Sequence, residues 1–160
     1  MTRLHIPVAL RWSDIDAYAH VNNAAMLRLL EEVRIEAFWA TGESIDSTDG
    51  VGPAVLDGRP GADTLSLIAR QEIEYLRPIP YQRKPLDCEV WIGRIGGASL
   101  ELCYEIYSPQ GEEPRVLHTR AATTLVLADA ADSRPRRITD SERAAWEPYV
   151  EEPVRFSKRR

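Results

Sequence analysis

The sequence predicts an α+β fold in which one antiparallel sheet packs on one largely apolar helix. Three observations carry that expectation. Leu4, Ile6, Val8, Leu10 and Trp12 alternate with polar or small residues, the period-two mark of a strand with one buried face. Met26, Leu29, Leu30, Val33, Ala37 and Ala40 then recur at three and four, the stripe of a helix. Four further alternating segments follow with no helical pattern between them.

Within the first strand, Pro7 places it at a sheet edge or a bulge. The helix is expected from Ala24 to Ala40, with Asn22 or Asn23 as N-cap, Gly42 as its stop and an Arg28–Glu32 pair along its polar edge. Leu27, Ile35, Phe38 and Trp39 widen its apolar surface, so more than one side needs cover. Five glycines and two prolines between Gly42 and Ala62 predict a long loop. The stretch from Leu65 to Tyr75 reads as a strand ended by Pro78 and Pro80. Leu86 to Ile92 and Leu100 to Ile106 read as a hairpin turning between Gly93 and Gly97, and Leu117 to Leu127 as the last long strand. A short helix from Thr139 to Trp146 is expected, capped by Thr139 or Asp140, with Pro148 beyond its end. The Lys158-Arg-Arg end reads as a frayed tail.

With 160 residues, the chain is the size of one domain, 1–160, the short helix and tail coming after about residue 129. A net charge of −5 argues against a protein devoted to nucleic-acid backbones. No apolar run approaches the ~20 residues of a membrane span, and His5 and Pro7 interrupt any secretory core, so a cytoplasmic location is expected. Alternation puts Cys88 and Cys103 on opposite faces of the sheet, which predicts two free thiols. No nucleotide-binding, zinc-protease or nucleophile-elbow motif occurs, and nothing suggests a metal site.

Chemistry concentrates in Arg11-Trp-Ser-Asp-Ile-Asp-Ala-Tyr-Ala-His-Val-Asn-Asn, just ahead of the helix. A helix N-terminus offers unpaired N–H groups and about half a positive charge, which can hold an oxygen that gains negative charge during acyl transfer. A carboxylate on the same loop could attack the carbonyl or activate water. Read on composition alone, Asp14 and Asp16 are turn formers or caps.

The run from Trp12 to Asn23, the helix segment Leu30-Glu-Glu-Val-Arg-Ile-Glu, and the later Glu72-Ile-Glu-Tyr-Leu-Arg-Pro and Pro85-Leu-Asp-Cys-Glu-Val resemble the hotdog-fold acyl-CoA thioesterases of the 4-hydroxybenzoyl-CoA thioesterase type. The resemblance runs from Leu4 to Ala128. It implies a hotdog fold, an antiparallel sheet of five or six strands wrapped around a long central helix. It also implies that Asp16 is the catalytic carboxylate, that the Asn23 main-chain N–H polarises the thioester carbonyl, and that His20 matches a histidine of this branch. Asp14 stays structural, and Glu31 and Glu32 are outside candidates because another branch carries its acid on the helix.

The substrate implied is an acyl-CoA, with coenzyme A as part of the substrate and no separate cofactor or metal. Arg83 and Lys84, on a loop between prolines, are candidates to meet its phosphates, although a solvated turn is the simpler account of them. His118 and Arg120 read as surface or subunit-contact residues. The resemblance implies a homodimer assembled into a homotetramer. Two other classes share this architecture: a non-catalytic acyl-CoA or lipid-binding protein, and a hydratase or dehydratase.

Overall fold

The computed structural model describes residues 2–40 and 52–158. Its main strands are β1 (Leu4–Val8), β4 (Thr64–Tyr75), β5 (Leu86–Ile95), β6 (Ser99–Tyr107) and β7 (Leu117–Asp129). These five form one sheet in the order β1-β5-β6-β7-β4, with every neighbouring pair antiparallel. The sequence places all five. Pro7 sits in β1, at the sheet's edge, opposite Asp87 of β5. The β5–β6 turn is tighter than the 93–97 stretch: pairing continues to Ile95 opposite Leu100, and the Gly96 N–H bonds to the Ser99 carbonyl.

Helix α1 (Asn23–Phe38) covers one face of this sheet. Met26, Leu29, Leu30, Val33, Ala37 and Phe38 are buried against Ile6, Val8, Val90, Ile92, Leu102 and Leu125 among others. The helix is shorter than its apolar run suggests. It stops at Phe38 because Trp39 and Ala40 form a short strand, β2 (Trp39–Ala40), paired in parallel with β3 (Leu56–Asp57). Gly42 and the first half of the expected 42–62 loop lie outside the described residues. The ion pair on the helix is Glu31 with Arg34 rather than Arg28 with Glu32. Helix α2 (Asp140–Trp146) is capped by Thr139 in a reciprocal box with Glu142. A 3₁₀ turn (Glu147–Tyr149) that includes Pro148 follows it. Among the described residues no helix is long and apolar enough to cross a membrane.

The chain after α2 straps the opposite face of the sheet. Glu151 donates its N–H to the Ile92 carbonyl and the Trp91 indole donates to the Glu152 carbonyl. Farther along, the Val154 N–H meets Cys103 Sγ, the Arg120 guanidinium meets the Arg155 carbonyl, and Ser157 meets the Glu74 carboxylate. As far as Ser157 this segment is therefore docked on the sheet; Arg159 and Arg160 of the expected frayed tail lie outside the described residues. Beneath it Arg3 bridges Glu89, Glu105 and Glu151 and lies 3.8 Å over the Trp91 ring, while Arg115 joins Asp87 to Glu89. His118 is buried rather than superficial: its ring contacts the Pro78 carbonyl at 3.1 Å, and its own carbonyl accepts from the Leu76 and Arg77 N–H groups.

Both cysteines are buried and free, Cys88 within the core under α1 and Cys103 under the C-terminal strap. Burial raises both thiols, that of Cys103 to about 11. The expected outcome is that a thiol-specific reagent labels neither cysteine in the native protein at pH 8 and both after unfolding. A second prediction concerns acid. Burial by itself would raise the Asp87 carboxyl, but hydrogen bonds from His5, Arg115 and Gln110 outweigh it and leave the pKa lowered. Glu142 is also lowered: burial works against it, and bonds from Arg136 and Thr139 prevail. Groups depressed in the folded state stabilise it above the unfolded carboxylate value of roughly 4 and lose that contribution as pH falls through the folded pKa. The urea midpoint should hold from pH 7 to about 5 and fall steeply below about pH 4, with a shallower acid limb in Asp87→Asn.

Candidate active site

The loop from Arg11 to Asn22 is held by its own carboxylates. Asp14 is buried; its side chain accepts from the Arg11 N–H at 2.8 Å and pairs with the Arg11 guanidinium, while its carbonyl accepts from the Asn22 N–H. It is the structural residue of the pair. Asp16 shapes the next turn, its Oδ1 accepting from the Tyr18 N–H at 2.9 Å and the His20 N–H at 3.3 Å. The Asp16 N–H in turn bonds to the His20 carbonyl at 2.8 Å. Asp16 is half-buried, and its Oδ2 has no partner among the described residues. Closing this turn forces Ala19 to a φ of 63°, a left-handed conformation unusual for a residue with a Cβ.

The turn delivers the chain to the start of α1 with one donor spare. Asn22 caps the helix, its side chain accepting from Ala24 and Ala25, and its carbonyl accepts from the Met26 N–H. That accounts for three of the four first-turn N–H groups. The fourth, on Asn23, has no partner among the described residues, so it projects the positive end of the helix dipole unshielded. The Asn23 carbonyl is fixed from the far edge of the sheet, where the Tyr75 hydroxyl donates to it at 2.8 Å.

A pocket of about 220 Å³ opens beside this turn, lined by His20, Val21, Met26, Tyr75 and Thr119 together with the 76–79 segment. His20 is anchored by a bridge to Pro80, and the Val21 N–H bonds to the Ile79 carbonyl. Asp16 does not line the pocket itself; it stands behind His20 in the same hydrogen-bonded turn. Trp12 and Tyr81 pack with ring centroids 4.4 Å apart and join the 80–85 loop to the Asp16 loop. Arg83 and Lys84 follow on that loop, both exposed. Lys84 donates to the Gln110 carbonyl and lines a different pocket with His5, Pro7 and Asp87. Glu31 and Glu32 are on exposed positions of α1, away from the His20 pocket.

Sequence reasoning passed over Tyr75, whose part depends on β4 lying across the helix start. It passed over Arg34 too, although a cation four residues after Leu30, in register with the buried stripe, was a visible signal. Arg34 is buried, and its Nη1 has no hydrogen-bond partner among the described residues.

His5, Asp87 and Glu89 converge closely enough to hold a cation, but Arg115 already bonds both carboxylates and Arg3 bonds Glu89. The donor set is thus committed to arginine. Replacing Ala19 by glycine relieves the left-handed strain, worth about 1–2 kcal/mol, against a backbone-entropy cost of about 0.5–1 kcal/mol. A small gain in stability, up to about 1 kcal/mol by denaturant titration, is the expected result.

A family model described as the thioesterase-like superfamily matches residues 10–152. No curated protein matches the chain in sequence. Among solved structures, the PA5185 protein from Pseudomonas aeruginosa strain PAO1 superposes with a TM-score of 0.73 at 19% identity, covering 94% of each chain. The PA2801 protein from Pseudomonas aeruginosa is 29% identical over 89% of this chain and 95% of its own, with a TM-score of 0.67. A thioesterase from Thermus thermophilus, complexed with coenzyme A and Zn, is 25% identical over 93% of this chain and 95% of its own, with a TM-score of 0.65. With the family model spanning the Asp16 loop, α1 and every strand of the sheet except β1, the chain belongs to the thioesterase-like superfamily.

Proposed function

We propose that this protein is an acyl-CoA thioesterase, releasing a carboxylic acid and coenzyme A from an acyl-CoA. The observation that carries this is the single unpartnered N–H at the start of α1, on Asn23, within one short loop of the Asp16 carboxylate. The thioester carbonyl accepts from the Asn23 N–H, and the helix dipole stabilises the oxygen as it gains charge. Asp16 acts through Oδ2, either by attacking the carbonyl carbon or by taking a proton from the attacking water. The C–S bond breaks and the thiolate leaves, protonated to coenzyme A; where Asp16 attacks, water then cleaves the acyl–Asp16 anhydride, releasing the acid and restoring the carboxylate, and where Asp16 acts as base the water oxygen enters the acid directly. His20 lines the pocket next to Asp16 and positions the substrate.

The wider arrangement agrees with a hotdog fold, in which the sheet face covered by α1 wraps the helix. Coenzyme A belongs to the substrate, so no further cofactor enters the scheme. Arg83 and Lys84 remain the proposed partners of its phosphates, a reading supported by the Trp12–Tyr81 contact that ties their loop to the Asp16 loop. A homodimer is supported by β4, an edge strand with Leu67 44% and Ile68 39% exposed, and by Leu27 and Ile35 exposed on α1. A dimer of such dimers would give the homotetramer. Two free thiols suit a reducing, cytoplasmic location.

A panel of acyl-CoAs with thiol detection tests the activity directly. In Asp16→Asn the release should drop at least about 100-fold while the folded far-ultraviolet spectrum is kept. An unchanged rate would remove Asp16 from the mechanism, and binding without turnover across the panel would leave a carrier rather than an enzyme.

A further inference from the structure

Tyr75 is the last residue of β4, and its hydroxyl donates to the Asn23 carbonyl at 2.8 Å across 52 residues of sequence. Among the described residues no other side chain of the sheet bonds the first turn of α1. The phenol is carried by a well-held piece of backbone. Tyr75 lies opposite Thr119 of β7, which itself pairs with Ile106 of β6, and the Leu76 and Arg77 N–H groups both bond the His118 carbonyl. His118 and Thr119 are buried. The Tyr75 ring is 51% exposed and lines the same pocket as His20, at the wall next to the helix start. Partial burial raises the phenol above the ordinary tyrosine value, so its O–H stays a donor across the neutral range.

The helix end has less to hold it. Its bonded first-turn N–H groups rely on Asn22 alone, and helix termini open locally more readily than their middles. The unpartnered N–H and the carbonyl that Tyr75 holds belong to one residue, Asn23, and only two soft dihedrals separate them. Pinning the carbonyl therefore limits how far the N–H can swing. That limit matters to acyl transfer, because an oxyanion donor acts at about 2.7–3.1 Å from the developing charge, and a displacement of about 1 Å can cost on the order of 100-fold in rate. We propose that Tyr75 is a positioning residue: by holding the Asn23 carbonyl it aims the Asn23 N–H at the thioester oxygen, without itself touching the reacting atoms. The inference rests on the thioesterase reading of that amide and adds to it a residue from the far edge of the sheet.

Tyr75→Phe in the full-length protein tests this, since it removes the hydroxyl and keeps the ring that forms the pocket wall. The kcat for acyl-CoA hydrolysis should fall about 3- to 10-fold, the range that one hydrogen bond supplies. KM should stay within about twofold, as expected when ground-state binding is untouched. The loss should be equal for short and long acyl groups, and the profile of kcat against pH should keep its shape. Amide hydrogen exchange followed by NMR gives a readout that needs no substrate. The Met26 N–H, which bonds the Asn22 carbonyl in the same helical turn, should exchange faster by a similar factor, while that of Leu102 in the core strand β6 stays unchanged. A raised KM with kcat kept would make Tyr75 a wall of the pocket only, and an altered pH profile would make it a proton carrier. Faster exchange at Met26 and Leu102 together would make its role a general structural one. Each of these overturns the proposal. If the wild type cleaves no thioester, exchange still decides: an unchanged Met26 rate removes the positioning contact, whereas a local rise keeps it and removes only the catalytic reading of Asn23.

Discussion

The way the backbone enters α1 governs the rest of the molecule. A helix must satisfy or expose its first N–H groups, and here Asn22 and its carbonyl take those of Ala24, Ala25 and Met26. Asn22 can do so only because the Asp14 carbonyl holds its N–H and the Asp14 side chain holds Arg11. The cap therefore fixes where the helix crosses the sheet, which way Met26 and Leu30 point, and which amide is left for a ligand. The Tyr75 hydroxyl on the Asn23 carbonyl ties the same point to the strand at the sheet's far edge. Core and site are set by one small group of hydrogen bonds.

The two faces of the sheet solve different problems. The face under α1 is aliphatic except where Thr119, Thr123, Tyr104 and Arg34 interrupt it. The other face buries two carboxylates, Asp87 and Glu89, which Arg3, Arg115 and His5 meet. Breaking one partner of such a network leaves the other charges poorly solvated, so its members constrain one another. The C-terminal strap crosses this face from β5 to β4, its bonds reaching every strand of the sheet except β1 in the ladder. The outer face is thus strapped by residues 151–157, while pockets open on both flanks of α1, beside Tyr75 of β4 and beside Ile6 to Val8 of β1.

That division bears on the chemistry. A nucleophilic or basic carboxylate has to be reachable, while the oxygen it creates has to be held in a site that excludes bulk water. Asp16 meets the first need, since one of its oxygens is spent on the turn and the other is spare. In the proposed scheme the Asn23 N–H, at the start of α1, is the donor for the second. The strained Ala19 is part of this arrangement, because only a tight reversal brings the His20 N–H back onto Asp16.

Local signals in the sequence determined a good deal. Alternation located β1, β4, β5, β6 and β7, the three-four stripe located α1 and most of its buried face, and the polar residues ahead of it supplied the cap. Strand parity separated Cys88 from Cys103, and the 11–23 segment was legible as a cluster of polar residues just ahead of the helix. These are short-range properties, fixed by periodicity and by side chains that reach their own backbone. The tertiary structure decided what depends on distant chain segments. It ended α1 at Phe38 by pairing Trp39 with Leu56, buried His118 under the backbone of Leu76 and Arg77, and docked the tail on the sheet. It also brought Tyr75 to Asn23, and Tyr104 with Thr123 to Arg34. No spacing within one segment encodes such meetings, because they arise from the order in which the strands pair and from which side of the helix the sheet leaves uncovered.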